Sequence, residues 1–447
     1  MSDLPKGWVK TRLGEVCSYI QRGKSPKYMR ESDIPIINQK CIRWSGIDER
    51  YLKFLDPENC SSWTEERFLA HGDVLWNSTG TGTIGRAALF QGLKLADRVV
   101  VDSHVTVLRS GGAVSGAFLH RFIQSPSVQS AIADMQSGTT NQVELNRSEV
   151  IETALPLPPL AEQKRIVAKL DALNAKSARS RTELARIETL VSRFKQAVPS
   201  KAFSGELTRE WREHDNWPLP VRLGDVASSF AYGSAAKSQK SGSIPVLRMG
   251  NIQDGRLDWA DLLYTDDRDE IRKYQLTTGD VLFNRTNSPA LVGKTALYDG
   301  KRDAIFAGYL IRIVAGPHLD SRYLTYALNS PSGREFSWNV KTDGVSQSNI
   351  SAAKLKEFLF AVPSMEEQHE IVRRIEFAFA KIDRLAEAAK RALQLVGKLD
   401  DAILAKAFRG ELVTQDENDE PAEHLLARMR AERAAAPKAR RGRKAKA

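Results

Sequence analysis

Residues 156–198 read PLPPLAEQKRIVAKLDALNAKSARSRTELARIETLVSRFKQAV, and residues 361–403 read AVPSMEEQHEIVRRIEFAFAKIDRLAEAAKRALQLVGKLDDAI. In the first stretch, apolar or small residues recur in steps of four and three, at Ile166, Leu170, Leu173, Ser177, Ser180, Leu184, Ile187, Val191, Phe194 and Val198. Adding 205 gives Ile371, Ile375, Ala378, Ile382, Leu385, Ala389, Ala392, Val396, Leu399 and Ile403. A period of 3.5 sustained for about five heptads predicts two long helices with a narrow apolar seam. Pro159 and Pro363 stand just ahead of the helices, where proline is tolerated. Gly205 and Gly410 follow their ends, where a left-handed residue is wanted. A helix packed only on its own domain is the alternative, but the narrow seam and matched lengths favour pairing of the two. The interface is expected at Ile166, Leu170, Leu173, Leu184, Ile187, Val191 and Phe194 against Ile371, Ile375, Ile382, Leu385, Val396, Leu399 and Ile403. Ala389 and Ala392 thin the seam near its middle.

Outward from the helices, the rest of the chain repeats as well. The segment around Arg12-Leu13-Gly14-Glu15-Val16 returns as Arg222-Leu223-Gly224-Asp225-Val226. Gly72-Asp73-Val74-Leu75-Trp76-Asn77 returns as Gly279-Asp280-Val281-Leu282-Phe283-Asn284, and Lys201-Ala202-Phe203-Ser204-Gly205-Glu206-Leu207 as Lys406-Ala407-Phe408-Arg409-Gly410-Glu411-Leu412. The displacement falls from 210 (Arg12 to Arg222) to 205 (Gly205 to Gly410), as small loop changes produce. Order kept this often marks one unit written twice. Ahead of each helix, short β-branched runs (Ile34 to Ile37, Val99 to Leu108, Ile305 to Val314) alternate with Gly- and Asn-rich turns and short helices, which reads as a compact α+β domain. The expected organisation is α+β, with a first domain over 1–159, a helix over 160–204, a second domain over 205–362, a helix over 363–410, and a basic, disordered tail over 411–447. An antiparallel helix pair would return the chain to its first domain and create an approximate two-fold axis.

At 447 residues the chain is too long for one ordinary core. No run of about 18 apolar residues and no secretory leader pattern occur, so a cytoplasmic protein is expected. Cys17, Cys41 and Cys60 fit neither a disulfide framework nor a zinc set and read as free thiols. The formal charge of +11 invites a nucleic-acid partner, but the last ten residues, KARRGRKAKA, hold six of the basic residues, leaving 11 − 6 = 5 for the body. Net charge alone decides little.

Three motifs resemble catalytic ones and fail on chemistry. Gly80-Thr81-Gly82-Thr83-Ile84-Gly85 fits a dinucleotide fingerprint, yet only five residues precede Gln91-Gly92, too few for the helix that would hold a pyrophosphate. Ser288-Pro289-Ala290-Leu291-Val292-Gly293-Lys294-Thr295 approaches a phosphate loop, but Pro289 removes an N–H such a loop needs. Leu157-Pro158-Pro159-Leu160 echoes an adenine-methyltransferase loop with apolar leucines where an amide and a stacking ring are required. No catalytic residue and no metal or cofactor site is expected on this chain.

Two α+β domains alternating with two long helices, entered through PLPPLAEQKRIV or VPSMEEQHEIV and left through KAFSGELT or AKAFRGELV, resemble the specificity subunits of type I restriction-modification systems, in their enterobacterial-type branch. The resemblance implies a non-catalytic subunit that recognises a bipartite DNA target, each domain reading one half. It also implies two methyltransferase subunits as partners, with S-adenosylmethionine, and restriction subunits that use ATP and Mg. A structural coiled-coil adaptor without sequence-specific DNA binding is the alternative.

Reading bases requires paired donors and acceptors, with Asn or Gln suited to adenine and Arg or Lys to guanine. Such side chains cluster at turns. In the first domain the candidates are Arg22, Lys24, Asn38, Gln39, Lys40, Asn77, Ser78, Thr79, Thr81 and Gln142. In the second they are Tyr232, Lys237, Arg248, Asn251, Asn284, Arg285, Thr286, Asn287, Lys294 and Gln347; Gln142 and Gln347, equivalent under the repeat, lie in polar loops expected to face either the DNA backbone or a methyltransferase partner rather than base edges. Asn77 and Asn284 are equivalent by the repeat, which favours holding a turn over reading a base. Ser78 against Arg285 is a difference able to encode distinct half-sites.

Overall fold

The computed structural model describes residues 4–137, 143–213 and 216–435. It divides into two compact units, Met1–Thr182 with Ala392–Ala447, and Glu183–Arg391. Each contains one α+β domain and parts of both long helices.

In the first unit the strand Val105–Ser110 lies between Cys17–Arg22 and Val74–Asn77, all antiparallel, with Ala87–Leu89 at the edge. Alternation along these strands sends side chains to two cores. Val74, Trp76 and Leu108 pack with Phe118, Leu119 and Phe122 of the helix Gly116–Ile123. Leu75, Val105 and Val107 pack with Val99 and with Ile37 and Val101 of a second, smaller sheet. Both faces of the central strand are therefore covered, which is why Val105, Thr106, Val107 and Leu108 are all buried rather than alternately exposed. In the second unit Ala227–Tyr232, Leu310–Ala315, Val281–Asn284 and Thr295–Leu297 repeat the same strand order. Val281, Phe283, Ile311 and Ile313 face the helix Ser321–Asn329, and Leu282 and Leu310 face Leu247 and Phe306.

The long helices run over Leu160–Phe203 and Met365–Phe408, each 44 residues. Each is fastened to its own domain by the glutamine of the entry motif. Gln163 is fully buried, accepts from Ser115 N at 2.8 Å, and donates to Ala113 O at 2.9 Å and Pro158 O at 3.1 Å. Gln368 makes the same three bonds, to Asp320 N at 2.8 Å, His318 O at 2.9 Å and Pro363 O at 2.8 Å. The exit motif docks on the other domain. Phe408 packs edge-on against Phe118 at 5.3 Å in the first unit, and Phe203 lies 5.1 Å from Tyr323 in the second. Gly205 and Gly410 take φ of +79° and +75°, and a Cβ there would strike Trp217 and Pro5.

The two helices pair antiparallel within each unit. Ser177 donates to Asp400 at 2.6 Å and Arg181 pairs with Asp400 at 2.7 Å in the first unit; Lys195 pairs with Asp383 at 2.8 Å in the second. Ile166, Leu170, Ile371 and Ile375 are buried, while Leu173, Leu184, Ile187, Val191, Ile382, Val396 and Ile403 are half-buried. Three expected seam residues are not in the seam: Phe194, Leu385 and Leu399 are 55%, 51% and 55% exposed. An α-helix turns every 3.6 residues, so a strict 3.5 pattern drifts about 20° per heptad and slips by one position late in the helix. Lys195 and Asp400, one step beyond Phe194 and Leu399, make the interhelix contacts there, and Ala386, one step beyond Leu385, is half-buried.

The expected disordered tail is also corrected. Ala422–Ala435 is a helix on the first domain, with Leu426 and Met429 buried in its core. Apolar residues spaced by three provide the burial that an unfolded segment lacks. The KARRGRKAKA end and Gln142 lie outside the described residues. Among the described residues no helix is long and apolar enough to cross a membrane, and no group of metal-ligating side chains forms.

Candidate nucleic-acid interface

The strand ends at Arg22, Asn77 and Val105 bring several candidate turns of the first domain together. Asn77 is buried at the end of its strand and donates to Gln39 O at 3.0 Å and Thr83 O at 3.2 Å. Thr83 in turn donates to Gln39 Oε1 at 3.1 Å, so the turns 38–41 and 78–86 are tied into one block. Gly80, Gly82 and Gly85 all take positive φ, and a strand at Ala87–Leu89 follows them rather than a helix. Thr81 stands exposed between two of these glycines. Thr79 Oγ1 meets His104 Nδ1 at 2.8 Å. Arg22 donates to Ser103 O through Nε at 3.0 Å and Nη2 at 2.6 Å, and its Nη1 pairs with Glu144. Burial lowers the Arg22 pKa and raises that of Asp102, whose carboxylate accepts from His104 N at 2.9 Å. Lys40 is exposed at the block, while Lys24 lies apart, donating to Ser62 O at 3.2 Å.

At the matching end of the second domain a different surface is built on the same backbone. Arg285 lies 4.7 Å over the Tyr232 ring and donates to Gly308 O at 3.3 Å. Tyr232 is 45% exposed, and its oxygen accepts from Ala352 N at 2.9 Å. Thr286 and Asn287 form a short strand against Asn349 and Ser348, beside a turn in which Gly344 N donates to Gln347 O at 2.8 Å. Gln347 is exposed there. Lys294 reaches Gln253 Oε1 at 2.9 Å, Arg248 donates to Asp261 O at 2.8 Å, and Lys237 is exposed.

Five candidates are turned inward. Asn38 donates to Tyr51 O at 2.7 Å and accepts from Lys40 N; Asn251 donates to Asp258 O and Ala260 O and accepts from Arg248 N at 2.9 Å. Asn77 and Asn284 are fully buried, and Ser78 is buried with its hydroxyl on Thr106. An Asx side chain that satisfies its own turn's N–H and C=O groups offers nothing outward. The contrast at Ser78 against Arg285 is thus one of a buried hydroxyl against a stacked guanidinium. Sequence reasoning also missed two exposed aromatic groups. Trp44 occupies the two-residue turn between Ile42–Arg43 and Gly46–Ile47, with Arg43 stacked 5.0 Å over Tyr51. Trp338 carries Lys341 at 4.3 Å beside the strand Thr342–Asp343. Tryptophan is a core residue by default, so no local signal marks these as exposed.

The family model for the type I restriction modification DNA specificity domain matches residues 5–189 and again residues 215–393. The chain belongs to this family. Within it, the chain is 28% identical over 455 residues to the type I restriction enzyme EcoKI specificity subunit of Escherichia coli (strain K12), with 97% of each covered. It is 29% identical to the StySPI specificity subunit of Salmonella potsdam, with 96% of each covered. Two solved structures share the fold. One is a chain from a study of complex assembly and conformational transition of the type I R-M system, at TM-score 0.70 and 22% identity, covering 92% of this chain and 100% of that one. The other is the HsdS subunit of Thermoanaerobacter tengcongensis, at TM-score 0.63 and 21% identity, covering 92% and 99%. The two family matches fall on the two repeats, so each α+β domain with its following helix is one specificity module.

Proposed function

We propose that the chain serves a type I restriction-modification complex as its DNA-reading subunit and carries no catalytic centre itself. Each domain reads one half of a bipartite double-stranded target, while the paired helices set the unread gap and dock two methyltransferase subunits. S-adenosylmethionine, ATP and Mg belong to the methyltransferase and restriction partners, and the assembly works in the cytoplasm. The observation that carries this reading is the duplication of one fold with different side chains at its equivalent strand ends. Arg22, Ser78 and Glu144 occupy that place in one copy, and Tyr232, Arg285 and Asn349 in the other. Two copies of one scaffold with unlike surfaces suit an asymmetric target.

The groups proposed to meet DNA are Lys24, Lys40, Thr79 and Thr81 in the first domain and Tyr232, Lys237, Arg285, Lys294 and Gln347 in the second. Lysines serve the phosphates, which position the protein without reading sequence. Single-molecule methylome sequencing of a host carrying this chain with its cognate methyltransferase tests the function. A bipartite motif that appears only when both genes are present is the expected result. Methylation that is unchanged when the chain is removed would overturn it. The purified chain alone is expected neither to hydrolyse ATP nor to transfer methyl groups.

A further inference from the structure

The helix Ala422–Ala435 covers a particular face of the first domain. Leu426 and Met429 are buried there, and Met429 Cε comes within 2.6 Å of where a Cβ on Gly111 would stand. Arg430 pairs with Glu15 at 3.0 Å, and Arg433 donates to Cys17 O at 2.7 Å and Gly14 O at 3.2 Å. The second domain has the same face. Gly14, Glu15, Cys17 and Gly111 correspond to Gly224, Asp225, Ala227 and Gly316, and both glycine pairs sit on equivalent short helices and strand ends.

Among the described residues no helix covers this face on the second domain. Thr11 is 3% exposed, whereas its counterpart Val221 is 36% exposed; Val9 is half-buried, whereas Leu219 is 84% exposed. The nearest atoms to the Cβ position of Gly316 belong to Val226 and Ser228 of its own domain, where Gly111 meets Met429. Asp225 is exposed and has no ion pair among the described residues. Two apolar side chains in water beside an unpaired carboxylate form the mirror image of what Leu426, Met429 and Arg430 satisfy on the first domain.

We propose that this face of the second domain docks an amphipathic helix of a partner protein, one with apolar residues three apart and arginines four and seven positions after the first of them. Charge complementarity at Asp225 and the apolar pair Leu219 and Val221 define the occupant. The chain has a single helix of this chemistry among its described residues, and that helix is held to the first domain by Ala422 N donating to Gly7 O at 3.0 Å and by Arg165 on Asp419 at 2.6 Å. A second copy of the chain is a poor occupant, because donating its helix would uncover one face to cover another.

A fluorescent peptide of residues 420–435 titrated into the full chain tests the proposal, with a photo-crosslinker at the position of Met429. Saturable binding is expected, with crosslinks to residues 219–227 or 316, weakened at least tenfold by Val221→Glu with Asp225→Lys. Both substitutions are at exposed positions, and unchanged circular dichroism verifies the fold. Crosslinks at residues 7–17 or 111, binding indifferent to the double substitution, or no binding at 100-fold the chain's concentration would each overturn the proposal. A dimer by light scattering that dissociates on Val221→Glu would overturn it in favour of a second copy.

Discussion

Arg285 is stacked on an exposed ring where its repeat counterpart, Ser78, is a buried hydroxyl. Stacking on Tyr232 fixes the guanidinium plane, and the bond to Gly308 O fixes its edge, so Arg285 loses little extra side-chain freedom on meeting a base pair. Arg285→Ala is expected to relax specificity in one half-site only, by about 1–3 kcal/mol of discrimination, measured by methylation of a library randomised in both halves. Equal weakening at all sequences would make it a phosphate contact. His120 is a residue-scale determinant of another kind. Burial and the neighbouring Arg121 push its pKa down to about 4, with its ring against Ala87 O at 3.2 Å. The unfolded chain takes up that proton near pH 6.5 and the folded chain only near 4, so stability falls as pH drops through this window. Between pH 7.5 and pH 5 the loss from this group is about 2 kcal/mol. His120→Gln should remove that share of the acid sensitivity in urea unfolding, and an unaltered pH dependence would exclude the role. The thiols of Cys17 and Cys41 are inert by comparison, since burial pushes Cys17 up to about 12 and Cys41 to about 11.

The long helices are built to be fastened at their ends and loosely zipped between. Gln163 and Gln368 each spend every polar atom on main-chain groups of a preceding segment, which explains why the entry motif carries glutamine and not glutamate. Gln163→Ala leaves a buried N–H and two carbonyls without partners and should cost about 2–3 kcal/mol. Gln368→Ala should cost the same in the other unit, with the two effects adding because no partner is shared. Calorimetry of the single and double variants checks this, and a cost under 0.5 kcal/mol would exclude the fastening role. Along its length the pair also carries polar contacts, with Ser177, which is buried, and Arg181 on Asp400 in one unit and half-exposed Lys195 and Asp383 in the other. A buried polar seam position sets register at some expense of stability. The periodicity announced both helices and their pairing. Phe194, Leu385 and Leu399 depart from it because a strict 3.5 repeat drifts off a backbone that turns every 3.6 residues.

Across the whole molecule, the alternation of domain and helix makes helix length a variable independent of the reading surfaces. Seven residues removed from each helix shorten it by about 10 Å, or about three base pairs of duplex. The expected outcome is a shorter unread gap with both half-site sequences unchanged, seen in the methylome of a strain carrying the shortened chain. An unaltered gap would dissociate helix length from target spacing. The sequence by itself determined the duplication, the α+β class, the two helices and the family, because repeats, period and motif spacing are one-dimensional and survive without coordinates. Tertiary structure alone decided which polar turn residues face outward. Asn38, Ser78 and Asn251 have the right chemistry to read a base, yet each is buried by chain segments 13 to 28 residues away or by its own turn; for Asn77 and Asn284 the repeat already favoured a turn role, and both are fully buried. It also decided that residues 422–435 are a covering helix, since burial of Leu426 and Met429 depends on a surface more than 400 residues earlier, at Glu15 and Cys17. A side chain's direction is set by which distant backbone comes to lie beside it, and that information is absent from any local window.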